Sequence, residues 1–139
     1  LLDCVAICAP RIGQEAAWAG LTTAREWRRE RAREIADRRH RFQALMADRP
    51  GGFELLSCGG LFGWVRHPFP GRPTEDVVRE LVVDHDTLVI PGTAFLPDDR
   101  GTLRVSLSNA DRDALTDFAG RLTAVGSAVP RPPSLGVSL

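Results

Sequence analysis

Thr102-Leu103-Arg104-Val105-Ser106-Leu107 alternates strictly between polar and apolar residues. A period of two belongs to a half-buried β-strand, so Leu103, Val105 and Leu107 are predicted to face a core while Thr102, Arg104 and Ser106 face away. Working outward, Thr87-Leu88-Val89-Ile90 reads as the preceding strand, ended by the turn pair Pro91-Gly92 and followed by the polar turn Pro97-Asp98-Asp99-Arg100-Gly101. Upstream, Phe53 to Cys58 and Leu61 to Arg66 are short runs of strand formers joined by Gly59-Gly60, a hairpin-type linker. Thr74 is expected to cap a helix with Val77, Val78, Leu81 and Val82 on one face, and Asn109 a last helix with Leu115, Phe118, Ala119 and Leu122. Four short strands interleaved with helices give the fold class α/β, a small sandwich with its helices on one face of the sheet.

Ahead of the sandwich lies a different chemistry. Strong helix formers run up to Pro50-Gly51-Gly52, and one long helix is predicted from Trp18 to Ala47. Its apolar stripe (Trp18, Leu21, Ala24, Ile35, Phe42, Leu45, Met46) is narrow, as in a strut joining two bodies. Glu30 with Arg33, Glu34 with Arg38 and Asp37 with Arg41 are at pairing distance, each stabilising the helix by about 0.2–0.5 kcal/mol. The interleaved acids read as a solvated, salt-bridged face, so nucleic acid is not an expected partner. Residues 126–139, with no acids and no period, are expected to be a flexible tail.

Composition excludes several chemistries. A length of 139 residues suits one domain with appendages, and 43% hydrophobic residues allow a packed core. Net charge is +0, so no whole-chain field recruits a polyanion or a membrane. All 18 cations are Arg, which removes every mechanism that needs a lysine amine from this chain, and Tyr is absent too. Cys4, Cys8 and Cys58 read as buried structural thiols in a reducing, cytoplasmic setting, and with His40, His67 and His85 scattered no metal site is expected. The apolar start, Leu1 to Ala9, is broken by Asp3 and stopped by Pro10, and reads as neither signal peptide nor membrane span. Lacking an initiator Met, the chain is expected to be part of something longer.

Arg104 is the residue with chemical promise. A guanidinium on a rigid strand is well placed to grip a carboxylate through two parallel donors, although the same alternation also describes a plain solvent-facing arginine.

Leu88-Val89-Ile90-Pro91-Gly92-Thr93-Ala94-Phe95 followed by Gly101-Thr102-Leu103-Arg104-Val105-Ser106-Leu107-Ser108 resembles the C-terminal signature of the class I/II (fold type I) pyridoxal-phosphate-dependent aminotransferases. Gly59-Gly60-Leu61-Phe62-Gly63-Trp64-Val65 resembles the strand pair of the family's small domain, the long helix its interdomain helix, and Ala9 to Gln14 the stretch after the catalytic lysine segment. Leu96 departs from the pattern, where the family more often has glycine. The resemblance spans residues 1 to about 125 and corresponds to the C-terminal third of such an enzyme.

It implies that 1–17 is a remnant of the large-domain connector, 18–49 the interdomain helix and 50–125 the small domain. Arg104 would pair with the α-carboxylate of an amino-acid or 2-oxo-acid substrate. Gly60, Leu61, Phe62, Pro91, Gly92 and Phe95 would line the pocket, although Phe62 read by itself is a core residue. Pyridoxal phosphate would serve the intact enzyme and is not expected on this chain, which lacks the Schiff-base lysine and should not be catalytic alone. A missing large domain and a homodimer of the intact protein are the implied partners. Two other classes remain open: a non-catalytic carboxylate-binding module, and an aminotransferase-like domain of a transcriptional regulator.

Overall fold

The computed structural model describes residues 9–127. Cys4, Cys8 and nearly all of the expected tail over 126–139 lie outside the described residues. The described residues form two compact units that divide between Glu34 and Ile35.

The single helix expected over Trp18–Ala47 is two helices, α1 (Arg11–Thr22) and α2 (Arg25–Ala47). The break falls at two consecutive threonines. The Thr22 hydroxyl donates to the Trp18 carbonyl at 2.7 Å and the Thr23 hydroxyl to the Ala19 carbonyl at 2.7 Å. Threonine hydroxyls that bond back in this way compete with the next turn's N–H groups, and β-branching adds crowding. The helix restarts with the Arg28 N–H on the Ala24 carbonyl at 3.0 Å. None of α1 is buried, whereas α2 buries Phe42 and Met46.

In the second unit the strands are β1 (Glu54–Gly59), β2 (Phe62–Arg66), β3 (Ile90–Pro91) and β4 (Thr102–Ser106), with helix α3 (Thr74–Val83) between β2 and β3 and α4 (Arg112–Ser127) last. They form one antiparallel sheet in the order β1-β2-β4-β3. Of the strand expected at Thr87–Ile90 only Ile90 pairs, joined by Pro91 from the expected turn, because Thr87 is otherwise engaged. Its N–H closes on the Leu81 carbonyl at 2.8 Å at the end of α3, and Leu88 points into solvent, 83% exposed.

The β2–β4 register sorts the two faces. Val65 opposite Leu103 and Gly63 opposite Val105 face the core, where they join Phe42 and Met46 of α2, Val77 and Leu81 of α3, and Leu115, Leu122 and Val125 of α4. Gly63 is glycine because the Phe42 ring lies where a side chain would begin: a Cβ there would stand 2.4 Å from a ring carbon. Burying a ring such as Phe42 contributes about 1.5–3 kcal/mol. Val82 is not on the buried face, at 39% exposed.

Both helix caps differ from expectation. Asp111, not Asn109, caps α4, its Oδ1 accepting the Ala114 N–H at 2.8 Å. Pro73, not Thr74, occupies the N-cap of α3 and has no side-chain acceptor to offer. The orphan N–H of Thr74 is instead taken by the Asp99 carboxylate at 2.8 Å, from the loop before β4.

Candidate functional site

Arg104 stands in the middle of β4 on the face away from the core, opposite Trp64 of β2 and Ile90 of β3. Its guanidinium carbon is 4.5 Å from the centroid of the Phe62 ring and 4.4 Å from that of Phe95. Phe95 in turn meets Trp64 edge-on, with centroids 6.0 Å apart. Such cation–π contacts contribute about 0.5–1 kcal/mol each at exposed sites. Phe62 and Phe95 are 40% and 48% exposed, so the core reading of Phe62 is corrected: it serves the open face.

Among the described residues no carboxylate pairs with Arg104; Glu54, Glu80 and Asp98 pair with Arg66, Arg72 and Arg100 instead. The five N–H donors of a guanidinium lie in its plane. With rings against the cation, its edge is what remains for an acceptor, and the ligand that fits an edge best is a planar, bidentate anion such as a carboxylate. Arg104 also borders a cleft of about 590 Å³ whose walls include Phe62, Leu88, Ser106 and Phe118.

The other residues singled out from sequence divide in two. Pro91 pairs with Leu103, and Gly92 begins a 3-10 turn, Gly92–Ala94, laid directly on Thr102: a Cβ on Gly92 would stand 2.1 Å from the Thr102 hydroxyl oxygen. That close approach sends the chain across the open face and delivers Phe95 to Arg104. Gly60 and Leu61 belong to the β1–β2 turn; the Leu61 carbonyl accepts the Leu107 N–H at 2.8 Å, and a Cβ on Gly60 would meet open space. They bear on Arg104 through the chain that leads into Phe62.

Sequence reasoning missed a second polar centre. Nδ1 of His67 accepts the Phe69 N–H at 3.2 Å, which leaves Nε2 to donate to Thr74 Oγ1 at 3.2 Å. Thr74 Oγ1 donates onward to Asp99 Oδ1 at 2.5 Å, and the same carboxylate takes the backbone N–H of Thr74 and, at 2.9 Å, of Gly101. Burial lowers the His67 pKa, with the Asp99 charge opposing and Arg72 adding to the shift. The hydrogen bonds from Thr74, first its hydroxyl and then its N–H, followed by that from Gly101, lower the Asp99 pKa. Asp99-Arg100-Gly101 does carry a local signal, the side-chain turn that aspartate makes two residues ahead. Its partner Thr74, 25 residues away, has none.

Other candidates reduce to structure. Burial raises the Cys58 thiol pKa, with Arg39 opposing, so the thiol is held protonated. Arg38 of α2 donates to the Ser108 carbonyl at 2.6 Å and Arg41 to Thr116 Oγ1 at 3.2 Å, so these members of the arginine run tie α2 to its neighbours. Among the described residues no group of three His, Cys, Asp or Glu is placed to hold a metal ion, and no helix is long and apolar enough to cross a membrane.

No protein-family model and no curated protein matches the chain. Solved structures do. An aminotransferase from Staphylococcus aureus is 30% identical with TM-score 0.69, over 82% of this chain and 30% of its own. An α-aminoadipate aminotransferase from Thermus thermophilus has TM-score 0.73 at 22% identity, over 90% of this chain and 33% of its own. An aromatic aminotransferase from Pyrococcus horikoshii has TM-score 0.67 at 23% identity, over 81% and 30%. The chain thus spans about a third of the length of the structures it matches, and the resemblance seen in the sequence stands in the fold.

Proposed function

We propose, from the premise that this chain has the small-domain fold of the fold type I aminotransferases, that it is the C-terminal portion of a pyridoxal-phosphate-dependent aminotransferase. In that reading Arg104 binds the α-carboxylate of an amino-acid or 2-oxo-acid substrate, and residues 50–125 close over the active site, carried by an interdomain helix within 18–49. The observation that supports it is the guanidinium held against Phe62 and Phe95 with no acid paired to it among the described residues. The arginines at the other end of the strand pair differ: Arg66, Arg72 and Arg100 have their charge answered by Glu54, Glu80 and Asp98.

Pyridoxal phosphate, when bound, supplies the electron sink for chemistry at the substrate's α-carbon. The residues of this chain do not fit it, since all 18 of the cations are arginine and no amine is present to hold its aldehyde. Anchoring the cofactor and moving protons therefore fall to a large domain outside these 139 residues. What this chain contributes is recognition: it fixes one end of the substrate and sets its orientation by the in-plane direction of the guanidinium. A homodimer of the intact protein and a cytoplasmic setting belong to the same proposal.

The test is a titration of the 139-residue chain with sodium acetate, followed at the Arg104 Nε–H signal by NMR. A saturable shift of that signal, absent with ethylammonium chloride, is the expected result; an Arg104 signal that ignores acetate would overturn the reading. The coding sequence upstream then separates the classes. A large domain with a lysine supports the enzyme, and a winged-helix reader in that place would make the chain part of a regulator. Acetate binding with neither upstream would leave a carboxylate-binding module.

A further inference from the structure

Residues 93–99, the segment that carries Phe95 to Arg104, are fastened at both ends to the first turn of α3. At one end the Thr93 hydroxyl donates to Glu75 Oε1. At the other, Asp99 accepts the Thr74 N–H at 2.8 Å and the Thr74 hydroxyl at 2.5 Å, and His67 orients that hydroxyl by donating to its oxygen. Between the two fastenings the N–H groups of Phe95 and Leu96 both close on the Gly92 carbonyl, at 2.9 and 3.0 Å.

Burial does little to hold this segment. The Phe95 ring is half exposed and residues 97–100 are exposed throughout. A ring on a surface loop moves with its backbone, so the rotamer that meets Trp64 and Arg104 does so only while the loop holds its Cα in place. Yet the ring's position decides whether the guanidinium is covered on that side and held in plane, or free to swing into water.

We infer that the α3 N-terminus is a latch for the arginine clamp: Glu75 with Thr93, and Thr74 with Asp99, position Phe95 against Arg104. These four are positioning residues, acting on a ligand only through the ring and the guanidinium. Their bearing on substrate recognition rests on the carboxylate reading of Arg104, but the latch itself can be observed with no ligand present.

The experiment uses ring-current shifts in the 139-residue chain. The Arg104 δ-methylene and Nε–H protons lie against two rings and should resonate upfield; Phe95→Leu defines the share owed to Phe95. Thr93→Val and Glu75→Ala should each lose most of that share, Thr93→Ser should restore it, and the Val65 and Leu103 methyl signals should stay in place because the core is untouched. Acetate affinity in Thr93→Val should fall roughly two- to tenfold, the span carried by one ordinary hydrogen bond. Arg104 shifts that are unchanged in both Thr93→Val and Glu75→Ala would overturn the latch. If those shifts move but the unaltered chain ignores acetate, the latch stands and the carboxylate reading is what fails.

Discussion

Two polar centres share the strand pair β2–β4, and they spend their hydrogen-bonding capacity in opposite ways. Around His67, donors meet acceptors: ring nitrogens, the Thr74 hydroxyl and both Asp99 oxygens are all engaged. The arginines that share a surface cleft with His67, namely Arg66, Arg72 and Arg100, carry acids of their own. Arg104 is held in place by aromatic surface instead, with its in-plane donors left over. A closed network gives rigidity, because leaving any member unpaired in a buried setting is expensive. An open one gives binding, because the ligand completes it. The difference is therefore a chemical criterion for which centre is scaffold and which is site.

Arg104→Ala should break the comparison hardest. It should abolish the acetate response, a loss of about 1.5–3 kcal/mol for a hydrogen bond to a charged group, while stability changes by only about 1–2 kcal/mol because two exposed ring contacts disappear. Chemical denaturation beside the NMR titration reads both quantities. A stability loss of several kcal/mol with little effect on acetate would reverse the assignment of the two centres.

Thr74→Val should act chiefly on stability, reaching the acetate response only through the loosened latch on Phe95. Thr74 is fully buried, and removing its hydroxyl strands the His67 Nε2–H and one bond to Asp99. The expected loss is about 1–3 kcal/mol of stability, the range for a buried group left unsatisfied, with Thr74→Ser recovering most of it. Equal stability of the Val and Ser variants would show that the network is ornamental.

Acid should weaken the same centre. His67 has a pKa depressed below its ordinary value near 6.5, so the unfolded chain takes up its proton first and stability declines as pH falls from about 6.5 toward the lower folded value. Asp99 is also depressed, so its contribution, present above its ordinary value of about 3.9, is lost as pH falls through the lower folded one. The signs agree. Urea unfolding between pH 7.5 and 4.5, alongside His67→Gln, measures the first part; an identical slope in the variant would remove His67 from the account.

How far sequence carried the reading depended on whether a signal was local. The alternation through β4 correctly sent Leu103 and Val105 inward and Arg104 outward, since a period of two is a property of the strand itself. Resemblance added Phe62 and Phe95 to the site, and both do meet Arg104. The closing of Asp99 on Thr74 was illegible because it joins a loop to the start of α3, 25 residues apart, and the local turn at Asp99 and the helix start at Thr74 each say nothing of the other. The break at Thr22-Thr23 could have been read locally, but charge pairing along the run outweighed two hydroxyls whose effect appears only where they bond back to Trp18 and Ala19.

The smallest expected effect is the most discriminating, because it sets one buried threonine against another. Thr102 is 3% exposed, and its hydroxyl is a buried side-chain oxygen with no hydrogen-bond partner among the described residues, covered by the turn at Gly92. Desolvating a hydroxyl without a partner already destabilises the folded state, so an isosteric replacement has little left to remove. Thr102→Val should leave stability within about 0.5 kcal/mol or raise it, while Thr74→Val loses several times as much. Chemical denaturation of the two variants side by side reads this directly. If Thr102→Val proves as damaging as Thr74→Val, burial of threonine alone sets the loss, and a closed network is no longer what distinguishes the scaffold centre from the site.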